Sequence, residues 1–201
     1  MGDESVFVSH APGDSETVER LFRSVRNFPF GVHVAANELG GVVSREGLKS
    51  RIDDSDIVVA VMTESAATDP WVNQEVGYAV ARGVPVLPVY ERHDDLGGYL
   101  ADVDGVELDD DEMDETVFRL VSNLRGELTP LGALDTPKWY VRFDCTVEEC
   151  GDPVTLPITD QQRELWRLHD HGRTIHADCG ECSGRYHFDP ATLGFLKREG
   201  P

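Results

Sequence analysis

"SDIVVAVMTESAATDPWVNQEVGYAVARGVPVLPVYE", residues 55–91, decides the fold. Residues 56–62 run apolar without alternation, the pattern of a strand covered on both faces. Residues 84–90, "VPVLPVY", read as a second strand. Between them, residues 70–83 read as a helix. Asp69 is its N-cap, Pro70 occupies the first turn and Gly83 terminates it. A helix joining two apolar strands makes a β-α-β unit with the strands parallel.

The same alternation continues outward. "SVFVS" (5–9) is a strand, and 14–28 is a helix with Val18, Leu21, Phe22 and Val25 on one face. "GVHVA" (31–35) is a strand, and 44–54 is a helix despite Gly47. A short helix at 96–100, a short strand at 105–108 and a closing helix at 111–128 follow. Residues 1–128 are therefore expected to form an α/β domain, a parallel sheet with helices on both faces. Pro and Gly break the pattern, and 129–137 reads as a linker. Residues 138–201 are expected to be a small β-rich module. It has a strand at 138–145, a helix at 159–172 with Thr159 and Gln162 in capping-box spacing, and strand, tight knuckle and strand at 173–188.

The chain has 201 residues, 40% of them hydrophobic, and a formal charge of -20. Its cations are nearly all Arg, with Lys only at Lys49, Lys138 and Lys197. Acids are spread along the whole chain, not massed in a tail. This is the composition of a protein working in concentrated salt, where screening relieves self-repulsion. A halophilic cytoplasm is the expected setting. The N-terminus reads as no signal peptide. No apolar stretch approaches the roughly 20 residues of a membrane span.

In a doubly wound sheet, ligands bind beyond the carboxyl ends of the strands. Polar, small-residue loops lie at that edge: 9–15, 35–41, 63–70 and 91–95. The helix at 70–83 starts there. Val72, Val76, Ala79, Val80 and Gly83 are expected to face the sheet. Trp71, Glu75, Tyr78 and Arg82 form a second stripe rotated roughly 90° from it. Glu75 is thus expected beside an indole, at the border between core and solvent. A helix Glu is ordinarily a solvated charge. A carboxylate against an aromatic in a partly dry cleft can instead stabilise a developing cation. Trp71 has a packing reading beside its ligand reading, and His93 reads as a surface residue.

"VFVSHAPGDSE", "GVHVAANELGG" and the 55–91 stretch together resemble a TIR (Toll/interleukin-1 receptor) domain of the prokaryotic type, over about residues 4–128. "DPWVNQE" (69–75) is the most specific part. The resemblance implies a flavodoxin-like five-stranded parallel sheet. It implies NAD+ glycohydrolase or cyclase activity, with Glu75 as the catalytic glutamate. Ser9 and His10 match the position lining the nicotinamide pocket, with Trp71 as a further substrate contact. Asn37, Glu38, Leu39, Gly40 and Gly41 match the loop that helps assemble active homo-oligomers. The chemistry suits a single carboxylate: cleaving the ribosyl–nicotinamide bond passes through an oxocarbenium-like state, and nicotinamide leaves neutral.

Four cysteines, Cys145 and Cys150 as C-x4-C and Cys179 and Cys182 as C-x2-C, can present four thiolates to one structural Zn2+. In a reducing compartment this pattern favours a metal over disulfides. His176 and His187 flank the second pair and read as non-ligands. The module carries several Arg, yet acids outnumber bases, so nucleic acid is not the expected partner; docking of a protein partner, such as a downstream effector, or pairing of subunits is. The overall expectation is an NAD+-cleaving TIR protein of prokaryotic antiviral signalling. A non-catalytic TIR adaptor signalling by homotypic assembly is the alternative. A nucleoside deoxyribosyltransferase-like enzyme, which also sets a glutamate against a ribosyl group, is a third reading.

Overall fold

The structure, a computed structural model, describes residues 4–23, 31–34, 45–128, 139–147, 149–160 and 162–200. The later part of the expected 14–28 helix, the linker and the loop residues Asn37, Glu38, Leu39, Gly40 and Gly41 lie outside them.

Five strands, β1 (Ser5–Ser9), β2 (Gly31–Val34), β3 (Ile57–Met62), β4 (Val86–Tyr90) and β5 (Val106–Glu107), form one sheet in the order β2-β1-β3-β4-β5. Every pairing is parallel. This is the flavodoxin-like order, whose switch point falls between β1 and β3. All six residues of β3 are buried, as its unbroken apolar run requires.

Strand alternation sends side chains to the two faces. Helices α1 (Ser15–Phe22) and α5 (Met113–Leu128) cover one face. Val18, Leu21, Leu120 and Leu124 pack there against Val6, Val8, Val59 and Val61. Helices α2 (Arg45–Asp53) and α4 (Pro70–Arg82) cover the other. Ile52 and Ala79 meet Phe7 and Val58, while Val72 and Val76 meet Ala60 and Met62. Each fully buried Val or Leu contributes about 1.5–3 kcal/mol.

A short helix, α3 (Glu64–Thr68), replaces the loop expected at 63–70. Thr63 starts it by accepting the Ala66 N–H at 3.1 Å. Extended Asp69 (φ -74°, ψ 122°) ends α3 and caps α4, so one residue punctuates both.

Beyond α5, β6 (Trp139–Asp144) pairs antiparallel with β7 (Pro153–Ile158). Helix α6 (Gln162–Asp170) leads into a three-stranded antiparallel sheet of β8 (Ile175–Asp178), β9 (Arg185–Phe188) and β10 (Phe195–Glu199), in the order β10-β9-β8. β7 and β10 go beyond the strands expected from the sequence. This region does bury a core: Val141, Val154, Leu156, Ile158, Leu165, Tyr186 and Phe188. That core continues into the α1/α5 layer, and Phe118 of α5 packs on Trp166 of α6 with ring centroids 4.7 Å apart. Among the described residues, no helix is long and apolar enough to cross a membrane.

Candidate functional site

Helix α4 places the central carboxylate, and its local chemistry is that read from the sequence. Asp69 Oδ1 accepts the N–H groups of Trp71 (2.7 Å) and Val72 (3.1 Å), satisfying donors that a helix start otherwise leaves open. Pro70 sits where a missing N–H costs nothing. Gly83 ends the helix at φ +74°, a left-handed conformation that glycine adopts without strain.

At about 100° of rotation per residue, Val72, Val76 and Ala79 point at the sheet. Glu75 lies roughly 60° from Val72, on the side where α2 packs, and Val80 roughly 80° away on the other side. The consequence corrects two expectations. Glu75 is not at a solvent border but is 7% exposed. Val80, expected against the sheet, is 37% exposed. Helix α2 covers the Glu75 side, tied to α4 by the Tyr78 hydroxyl donating to Asp53 Oδ2 at 2.9 Å and Arg82 Nε donating to Asp53 Oδ1 at 2.7 Å.

The seam between α2 and α4 holds a cavity of about 330 Å³, lined by Leu48, Lys49, Ile52, Trp71, Gln74, Glu75 and Tyr78. Glu75 and Trp71 thus share one wall. Trp71 is 47% exposed, so the indole is available to a ligand as well as to its neighbours. Lys49 reaches within 5.8 Å of the Tyr78 ring centroid. The α2 wall was not anticipated, although Leu48 and Ile52, four residues apart, already marked an apolar stripe.

Ser9 ends β1 at the switch point and is fully buried. Its hydroxyl donates to Glu75 Oε2 at 2.5 Å, across 66 residues of chain. Burial pushes the Glu75 carboxyl up to about 7; the Ser9 hydrogen bond opposes that rise and the Asp69 charge adds to it. His10 is also buried, with Nδ1 facing Ala11 O at 2.7 Å. A carbonyl oxygen only accepts, so Nδ1 is the donor in this contact, and Nε2 has no hydrogen-bond partner among the described residues. Neither Ser9 nor His10 is among the residues lining the α2/α4 cavity. Ser9 meets that site through Glu75. His93 is exposed, as expected.

A second cluster lies in the C-terminal region. The sulfurs of Cys145, Cys150, Cys179 and Cys182 lie within 4.8 Å of one another and could hold a metal ion. Two contacts cross between the pairs, Cys145 to Cys182 at 3.6 Å and Cys150 to Cys179 at 3.5 Å. Four thiolates at about 2.3 Å from a tetrahedral Zn2+ stand about 3.8 Å apart, so the spacing fits that ion. Backbone bonds shape the two knuckles: Cys145 N–H donates to Asp152 O (2.8 Å) and Cys179 N–H to Gly184 O (2.9 Å). The Tyr186 hydroxyl stands 3.1 Å from Cys145 Sγ, and Arg198 Nη2 donates to Cys182 Sγ at 3.7 Å. A Cβ at Gly184 would come within 2.5 Å of the Arg198 guanidinium, so glycine keeps that approach open. The Gly184 backbone, and after it Arg198, holds the Cys182 thiol down at about 6 against the cost of burial. His176 and His187 are no part of the sulfur cluster.

The fold and site define a flavodoxin-like α/β protein with a buried carboxylate hydrogen-bonded at the switch point and set in a ligand-sized cavity. Residues 6–121 match the family model described as TIR domain, and the chain belongs to the TIR domain family. Among solved structures it is similar to a 2-desoxiribosyltransferase from Leishmania mexicana. The identity is 15%, covering 52% of this chain and 81% of that one, with a TM-score of 0.37. No curated protein matches the chain.

Proposed function

We propose that the protein cleaves NAD+ at the ribosyl–nicotinamide bond, with Glu75 as the catalytic carboxylate. The observation that carries this reading is the placement of Glu75: buried, held by Ser9, and sharing a cavity wall with Trp71. As the C1′–N bond breaks, its electron pair stays on the nicotinamide nitrogen. The cationic pyridinium leaves as neutral nicotinamide, and positive charge moves to C1′ and the ring oxygen. An ionised Glu75 in a poorly hydrated wall stabilises that charge and accepts hydrogen bonds from the ribose hydroxyls. Water, or a nucleophile within the same molecule, then takes C1′, giving ADP-ribose or a cyclic isomer.

Trp71 offers an aromatic face to a ring of the substrate. Lys49, a lysine in a chain that has only three, is the cation in the cavity wall and supplies the counter-charge for a diphosphate. The ionised form of Glu75 is the active one, so kcat/KM rises with pH through about 7. Homotypic assembly through Asn37, Glu38, Leu39, Gly40 and Gly41 belongs to the same reading, as do a cytoplasmic setting and a role in antiviral signalling. The four cysteines are assigned to one structural zinc, leaving no open coordination position for chemistry.

The test is release of nicotinamide from NAD+ at high protein concentration in molar KCl. Wild type should release it, and Glu75→Gln should lose at least roughly 100-fold, the cost of removing one electrostatic stabiliser. A Glu75→Gln variant close to wild type sinks the assignment. An inactive wild type that still assembles supports the adaptor reading.

A further inference from the structure

The sequence suggested that Ser9 touches substrate; the geometry gives its hydroxyl another task. We propose that Ser9 is a positioning residue, whose hydroxyl holds the Glu75 carboxylate ionised and oriented toward the cavity without contacting the substrate itself. The inference rests on the reading of Glu75 as the working carboxylate.

Three observations carry it. First, a serine has one hydroxyl proton, and that of Ser9 goes to Glu75 Oε2 at 2.5 Å, at the short end for an O–H to carboxylate bond. The donor is therefore committed, while Glu75 Oε1 stays available to a ligand. Second, Ser9 is fully buried and absent from the cavity lining. A residue closed off in that way serves a ligand only through its neighbour. Third, Ser9 is the last residue of β1, an inner strand of the sheet, with its Cα in register with Ala60 of β3. Glu75, by contrast, rides on a helix packed over that sheet. Anchoring a helix side chain to a central strand fixes its rotamer, and such support from behind is what keeps a charge-stabilising group in productive geometry.

The surrounding charges leave this job to Ser9. Asp69, on the same helix, opposes ionisation of Glu75. From α2, Lys49 lines the same cavity, but the nearby Asp53 is engaged by Tyr78 and Arg82. From the end of β1, the Nδ1 of His10 is turned to Ala11 O. Among the described residues, Ser9 is the hydrogen-bond partner of the Glu75 carboxylate. A hydrogen bond to a charged group of this kind corresponds to roughly one to two pH units of ionisation.

Two readouts test the proposal, and one of them needs no catalysis. The Glu75 carboxyl is titrated by carbon-13 NMR in the full chain, its signal assigned with Glu75→Gln. Ser9→Ala should move the titration up by about one to two pH units, and Ser9→Thr, which keeps the hydroxyl, should restore most of it. The acid limb of kcat/KM for NAD+ should move up in parallel, so Ser9→Ala loses roughly 5- to 50-fold at pH 7 and recovers to within about 2-fold of wild type near pH 9. An unmoved Glu75 titration in folded Ser9→Ala overturns the proposal. So does a loss of activity equal at every pH, which marks a substrate contact. If wild type releases no nicotinamide, the NAD+ reading fails alone and the titration still decides Ser9. If Ser9→Ala does not fold, Ser9→Cys, which keeps the size but donates weakly, takes its place with the same expected direction.

Discussion

Replacing Glu75 should stabilise the protein while it removes activity, and the gain should depend on pH in a specified direction. Burial raises the carboxyl from an ordinary 4.5 to about 7. The folded state therefore binds a proton that the unfolded chain releases between those values. A raised carboxyl contributes stability only while it is protonated, so folding is progressively penalised as pH climbs from about 4.5 to about 7. At 1.36 kcal/mol per unit, the penalty is about 3 kcal/mol at pH 7 and above, and under about 1 kcal/mol at pH 5. Glu75→Gln keeps the shape, can accept the Ser9 hydroxyl and never ionises. Denaturant unfolding in molar KCl at pH 5, 6, 7 and 8 should show the variant gaining on wild type across the series. The difference should approach about 3 kcal/mol, or roughly 6–12 °C in thermal midpoint. A difference that is flat with pH, or a variant less stable than wild type at pH 8, refutes the argument that Glu75 is held against its own desolvation.

The charge of -20 predicts a thermal midpoint that falls on transfer from molar to dilute KCl, and an unchanged midpoint contradicts the screening argument. Metal analysis should find about one zinc per chain, and Ser at Cys179 and Cys182 should release it and loosen residues 139–200 while the five-stranded sheet persists, as hydrogen exchange would show. Asp69→Ala removes the cap that accepts from Trp71 and Val72 and should cost about 1 kcal/mol in denaturant unfolding; a cost near zero would mean that water replaces the side chain.

Local signals were legible in the sequence and long-range ones were not. Helix α4 could be read almost to the residue because Asp69, Pro70 and Gly83 act on their immediate neighbours. The sheet followed from unbroken apolar runs, as in β3. The burial of Glu75 depends on α2 closing beside it, and its hydrogen bond comes from a residue 66 positions away, so no window around "WVNQE" contains either fact. Val80 was misplaced for the related reason that periodicity gives an angle but not what lies there. β7 was obscured by Pro153 and Pro157, which fall on the exposed positions of an alternating strand in a two-stranded ladder, where proline is tolerated. The cysteine spacings suggested a shared site. They did not reveal that Cys145 stands beside Cys182 and Cys150 beside Cys179, because that follows from how two separate knuckles meet.

The packing of Phe118 against Trp166 bears on how copies of this chain can be arranged. A sheet layered by helices offers a neighbour two broad faces and two edges. Here the α1/α5 side already carries the chain's own C-terminal strands, joined to it through a shared apolar core. Any homotypic contact of the kind proposed above would therefore use the α2/α4 side, where the cavity lies, or the edges at β2 and β5. Cys145 and Cys179 belong to the same apolar core as the C-terminal strands and the α1/α5 layer. In the proposed homotypic assembly, a contact on the α2/α4 side would leave the four sulfurs, and any metal ion they hold, on the far side of each sheet domain.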